Sequence, residues 1–267
     1  MPPRIPTEAD FEPLKSTLPH AIQFPSPPES TTSIMILFHG LGDHETPFAS
    51  FASNLELPGV LAISVRGTSP LPSYLLAGLE TSPIPHSHWG DDLVLDQATG
   101  DIDPDPGFKT AARLVMDKLI KETLIDKCGW EMSDILFFGF GQGGSLALGL
   151  AAQLAAGEKV VDVSDGGGEG SSGSKKLADG KAFKGVASLG GPLPKSMLSS
   201  SGKQAGEKSK TCVLVCQLDK EEAGAVEEEF ADVKVVNWKR KDMGMPRDRE
   251  EVLPLMQFFA DRLNSEW

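Results

Sequence analysis

Histidine is scarce in this chain and confined to its first third. His20, His39, His44, His86 and His88 are the only five, so no imidazole follows residue 88. Any chemistry that needs a histidine base later in the chain is excluded. Cysteine is nearly as rare. Cys128, Cys212 and Cys216 are too few and too scattered for a disulfide framework. In the run T-C-V-L-V-C-Q, Cys212 and Cys216 would share one face of a strand. Four residues of extended chain hold their α-carbons about 13 Å apart, beyond the reach of a bridge. Buried free thiols in a reducing compartment are the expectation. Long apolar runs are missing too. None approaches a membrane span, and the opening M-P-P-R-I-P-T-E-A-D lacks the apolar core of a signal peptide. Cytoplasm is the expected location. Excess positive charge is absent as well: the formal net charge is −13. An acidic chain gains nothing from counterion release, which excludes nucleic acid and anionic membrane surfaces as partners.

What is present is ordinary globular composition, 40% hydrophobic and 24% charged over 267 residues, enough for one large α/β domain. Residues 1–30 form a proline-rich N-terminal segment with one short apolar run, His20 to Phe24, that suits an edge strand. Strand and helix patterns then alternate. Residues 33–40 and 59–67 read as strands, with a helical spacing at 47–57 between them. Residues 68–106 are a long connection with six prolines, the kind of loop that shapes a site. In 107–125, Phe108, Ala111, Ala112, Val115, Leu119 and Ile120 fall on one helical stripe. Residues 164–181 are a flexible Gly/Ser-rich insertion. Strands resume at 183–191, 211–217 and 232–238. A closing helix at 248–264 turns Val252, Leu255, Met256, Phe259 and Leu263 inward. Alternation of this kind predicts a single α/β domain over 1–267, with a mostly parallel central sheet and helices on both faces.

The stretch from Ile135, I-L-F-F-G-F-G-Q-G-G, supports two readings. Gly139, Gly141 and Gly144 spell the G-x-G-x-x-G dinucleotide fingerprint, with Asp162 and Asp165 some twenty residues on as ribose ligands. That reading implies a nucleotide-binding oxidoreductase. Alternatively, Gly139 to Gly143 is a G-x-S-x-G nucleophile elbow whose serine has become glycine. The fingerprint reading leaves the first 130 residues unexplained, and its downstream strands would fall in the glycine-rich segment.

Those first residues fit the elbow. The turn His39-Gly40-Leu41-Gly42-Asp43 after the first core strand resembles the small carboxylesterases and acyl-protein thioesterases of the α/β-hydrolase superfamily. Trp89-Gly90-Asp91-Asp92 resembles that family's W-F-D segment. G-F-G-Q-G-G is similar to its G-F-S-Q-G-G elbow at every position but one, and L-P-L-M-Q-F-F-A-D-R-L to its last helix. The resemblance implies an α/β-hydrolase fold, no cofactor, and an oxyanion hole built from the amides of Leu41 and Gln142. It also implies where a triad should lie. The nucleophile position is Gly141, the acid is Glu221 or its neighbour Asp219, and the histidine position is Met245 or, with a one-residue slip, Pro246. Serine and histidine are therefore both missing. Ser145 sits a full turn into the helix, away from the elbow tip. His86, His88, Asp91 and Asp92 have metal-ligand types, but the tryptophan match already accounts for their segment, and no metal is expected.

The expectation is a hydrolase-fold protein without hydrolase chemistry. It would use the acyl pocket for a small acyl or carboxylate ligand, or serve a protein partner as a scaffold. The alternatives are an atypical but active ester or thioester hydrolase, and the nucleotide-binding oxidoreductase.

Overall fold

The backbone is organised by strands that are buried on both faces. In the computed structural model, which describes residues 3–72, 75, 84–93, 95, 102–156, 182–198 and 208–264, they form a seven-stranded sheet. In chain order the elements are α1 (Glu8–Phe11), β1 (His20–Gln23), β2 (Ser33–Phe38), α2 (Glu45–Leu55), β3 (Val60–Val65), β4 (Ser69–Pro70) and β5 (Ser87–His88). Then come α3 (Lys109–Arg113), β6 (Ile135–Phe140), α4 (Gln142–Ala156), β7 (Gly185–Leu189), β8 (Val213–Cys216), α5 (Lys220–Glu229), β9 (Val233–Val236) and α6 (Arg249–Asn264). The spatial order is β1-β3-β2-β6-β7-β8-β9. Only β1 runs antiparallel; every other neighbouring pair in this sheet is parallel. The insertion expected at 164–181, with Asp162 and Asp165, lies outside the described residues.

Alternation along the strands divides the core in two. Ile34, Ile36 and Phe38 of β2, with Ile135 and Phe137 of β6, point to the layer holding α4 and the helical stretch after Phe108. Met35, Leu37, Leu136 and Phe138 point the other way, onto Phe48 of α2 and Leu255, Phe258 and Phe259 of α6. This period of two is why the strands read as unbroken apolar runs. The stripe from Phe108 to Ile120 is buried as its spacing predicts. The helix carrying it is less regular than expected, since after Arg113 it widens to i→i+5 bonding through Leu114–Lys127. Two elements carry little hydrophobic periodicity and were not anticipated: α5, and the two-stranded ribbon of β4 with β5.

The N-terminal segment is tied down by charge. Asp10, 6% exposed, accepts two hydrogen bonds from Arg4 at 2.8 Å, a third from the Thr7 amide at 2.8 Å, and faces Lys127 at 3.0 Å. Trp130 Nε1 donates to the Arg4 carbonyl at 2.9 Å. The Arg4 guanidinium holds the Asp10 carboxyl well below the usual carboxylate range, against the opposing effect of burial. A depressed folded pKa stabilises above the unfolded value near 3.9 and loses that stability as pH falls below it. Asp10→Asn is therefore expected to lower stability at pH 7 by roughly 1–3 kcal/mol. In urea titrations the gap between variant and wild type should begin to narrow as the pH drops below about 4 and go on narrowing toward the much lower folded pKa.

Candidate functional site

At the carboxyl end of β6 the chain reverses direction within one residue. Gly141 sits at φ +52°, its amide donates to the Leu189 carbonyl at 2.8 Å, and α4 begins at Gln142. The glycines around it are there for different reasons. A Cβ added to Gly143 would overlap the carbonyl oxygens of Phe38 and His39, and one added to Gly139 would overlap Gly143 itself. Gly144 is pressed against Ser188 and Gly191. At Gly141 the space is open: the nearest atom to an added Cβ is the Gly40 α-carbon, 4.0 Å away. The turn has room for a side chain at one position, and there the backbone is left-handed. This is how a nucleophile elbow presents its central residue.

The turn after β2 faces this point, because β2 and β6 are parallel neighbours with Phe38 opposite Gly139. His39 anchors it. The ring is fully buried; Nδ1–H donates to the Gly40 carbonyl at 2.7 Å, while Nε2 accepts from the Gly67 amide at 2.8 Å and from Ser87 Oγ at 3.1 Å. Burial pushes its pKa down to about 4, so the imidazole is neutral at physiological pH and both nitrogens are engaged. Trp89 stitches turn and elbow together: its Nε1 donates to the His39 carbonyl at 2.8 Å and its amide to Gln142 Oε1 at 2.7 Å. The amides of Leu41 and Gln142 have no hydrogen-bond partner among the described residues.

With this geometry in view, comparison with known proteins is specific. A model of the phospholipase/carboxylesterase family matches residues 20–160. The chain belongs to this family. An uncharacterized hydrolase of Schizosaccharomyces pombe is 36% identical over 116 residues, 43% of this chain and 44% of that protein. A second, from Mycosarcoma maydis, is 32% identical over 126 residues, 46% of this chain and 43% of its own length. The matched stretch thus spans under half the length of these curated relatives. Among solved structures, Zea mays acyl-protein thioesterase 2 superposes with a TM-score of 0.60 at 19% identity, covering 92% of this chain and 99% of that one. Esterase PE8 gives a TM-score of 0.60 at 15% identity, over 92% and 99% of the two chains. These two likenesses establish the α/β-hydrolase fold and nothing finer.

The residues that the sequence resemblance pointed to as acid and histidine positions have ordinary structural surroundings. Asp219 caps α5, its Oδ1 accepting from the Glu222 amide at 2.8 Å, and Glu221 is an exposed residue of the same first turn. Between β9 and α6, Arg240 organises the loop. It stacks over Trp238, pairs with Glu251 at 3.0 Å, and donates to the Met245 carbonyl at 2.7 Å. Met245 packs into the apolar cluster with Phe138 and Leu255, and Pro246 is half-buried. The loop residue that reaches toward the elbow is Met243. Its side chain lies against Gly190, next to the Gly191 that abuts Gly141.

Ser145 is buried on α4, its hydroxyl without a partner. His86 Nδ1 donates to the Gly42 carbonyl at 2.6 Å, and Asp91 accepts the Lys109 and Thr110 amides at 2.7 and 2.9 Å. Asp91 is thus the cap of α3, and among the described residues no three His, Cys, Asp or Glu side chains are grouped to hold a metal. His88 is buried, which lowers its pKa, and its Nδ1 has no partner. It sits one residue before the Trp89 amide that binds Gln142.

Proposed function

We propose that this chain is a non-catalytic member of the phospholipase/carboxylesterase family that retains the elbow as a cradle for a carbonyl or carboxylate group. The observation that carries the proposal is the pairing of Gly141, where a nucleophile would stand, with a chain in which no histidine follows residue 88. A hydroxyl at the tip would need a base to accept its proton, and the loop between β9 and α6 supplies methionine, proline and arginine instead. His39 cannot substitute, since both of its ring nitrogens hold the turn.

What remains is electrostatic. Two amide donors, Leu41 and Gln142, flank the turn, and Gln142 opens a 15-residue helix whose positive end faces the same point. Such an end stabilises a negative oxygen by about 0.3–1 kcal/mol when exposed and more when enclosed. The ligand this favours is a small acyl compound or carboxylate, bound and released without bond cleavage. Asp219 and Glu221 then serve as the cap and first-turn acid of α5 rather than as a triad acid.

The purified protein is expected not to label with a fluorophosphonate probe, which captures activated serines. Robust labelling at any serine, Ser145 included, would overturn this proposal in favour of an active hydrolase.

A further inference from the structure

A cavity lies at the opposite end of the sheet from the elbow. It encloses about 540 Å³ under the C-terminal turn of α2, beside the amino ends of β2 and β3. That is within the range of roughly 300–1,000 Å³ typical of small-molecule sites. The floor is made by Met35, Val60 and Ala62, and Phe24 and Leu57 form the walls. Nothing in the family reading uses it.

Two features of its rim share one sign. The first is Glu56, the only ionisable side chain lining the cavity among the described residues. It is an exposed residue, and its carboxylate has no ion-pair or hydrogen-bond partner among the described residues. The second is the end of α2 itself. Ala52 and Ser53 line the cavity, which places the negative end of an 11-residue helix beside it. The helix is also closed in an unusual way. Glu56 is its C-cap at φ +48°, a left-handed conformation that glycine normally supplies. A glutamate held there is strained, and the strain places a carboxylate on the rim of an apolar cavity.

We propose that this cavity binds a small hydrophobic primary amine. Its ammonium is held between Glu56 and the carbonyl end of α2, and its hydrocarbon lies against Phe24 and Leu57, over the buried floor of Met35, Val60 and Ala62. An alkyl carboxylate of the same length is repelled by both rim features, and an alcohol lacks the charge that satisfies them. The site is thus opposite in charge preference to the elbow and independent of it.

The test uses hexylamine, hexanol and hexanoate, titrated into the full chain by calorimetry and by following shifts of the Met35 methyl resonance. Hexylamine should bind saturably and at least tenfold more tightly than hexanol, the worth of one charge-assisted contact. Hexanoate should be weakest. Glu56→Gln should bring amine and alcohol to equal affinity. Glu56→Gly should also lose the amine preference while holding or raising Tm, because glycine relieves the left-handed strain. Ala52→Phe should fill the cavity and abolish binding. Hexylamine that fails to saturate, that binds no better than hexanol, or that survives Glu56→Gln or Ala52→Phe would overturn the proposal. The last of these would mean that the amine had merely condensed on an acidic surface.

Discussion

Gly143→Ala is expected to destabilise the protein by about 3 kcal/mol or more, because its new Cβ has nowhere to go. The obstructing atoms are the backbone carbonyl oxygens of Phe38 and His39. No rotamer change can clear backbone; either β2 or the start of α4 must shift, and both are packed into the core. Gly141→Ala has a different origin and a smaller effect. Its Cβ meets only the Gly40 α-carbon at 4.0 Å, so the penalty is that of φ +52° alone, roughly 1–2 kcal/mol. For a chain of this size 1 kcal/mol moves Tm by about 2–4 °C, so the two variants should separate clearly in a thermal melt. Equal destabilisation would mean that Gly143 is not wedged between strand and helix, and the elbow description would fail.

That contrast also explains what the sequence could reveal. G-F-G-Q-G-G carries two superposed patterns, and spacing alone does not separate a phosphate loop from an elbow. The structure separates them by what each glycine touches, since Gly139 and Gly143 are small for contact with one another and with β2, while Gly141 faces open space. The strands were legible because burial on both faces leaves uninterrupted runs such as I-M-I-L-F, and the edge strand at His20 because it is short and bounded by proline. The α5 helix was hidden, since K-E-E-A-G-A-V-E-E-E buries little beyond Ala223 and Val226 and offers no stripe to read. The path of the loop between β9 and α6 was hidden for a related reason. A loop organised by Arg240 through carbonyls and a ring face has no periodicity, so its geometry is set by tertiary contacts. His39 was legible only as the start of its turn; its bonds to the Gly40 carbonyl and the Gly67 amide are set by the fold.

Gly141→Ser is expected to restore the shape of a hydrolase elbow without its chemistry. The open space at the turn accepts the side chain, and the left-handed backbone makes the variant slightly less stable than wild type. The hydroxyl would then stand near the unpartnered amides of Leu41 and Gln142, which in a working enzyme are worth roughly 10²–10³ in rate. That contribution acts only once an alkoxide has formed, and on the proposed reading proton removal is what the site lacks. A histidine added on the loop between β9 and α6 supplies the missing function, and position matters. Met243→His starts from the side chain already lying against Gly190, whereas Met245→His would place an imidazole in the apolar cluster around Phe138. Turnover of a short acyl ester should therefore appear first in Gly141→Ser combined with Met243→His.

The central claim is that the fold has kept the elbow and lost the base, and the Gly141→Ser single variant tests it most directly. Its hydrolysis of a short acyl ester and its labelling by a fluorophosphonate should both match the wild-type background, since Nε2 of His39 is committed to the Gly67 amide and no histidine lies beyond residue 88. Fast turnover or stoichiometric labelling at residue 141 would contradict the account. It would point to His88 as the base, since its buried Nδ1 has no hydrogen-bond partner among the described residues and it directly precedes the Trp89 that binds Gln142.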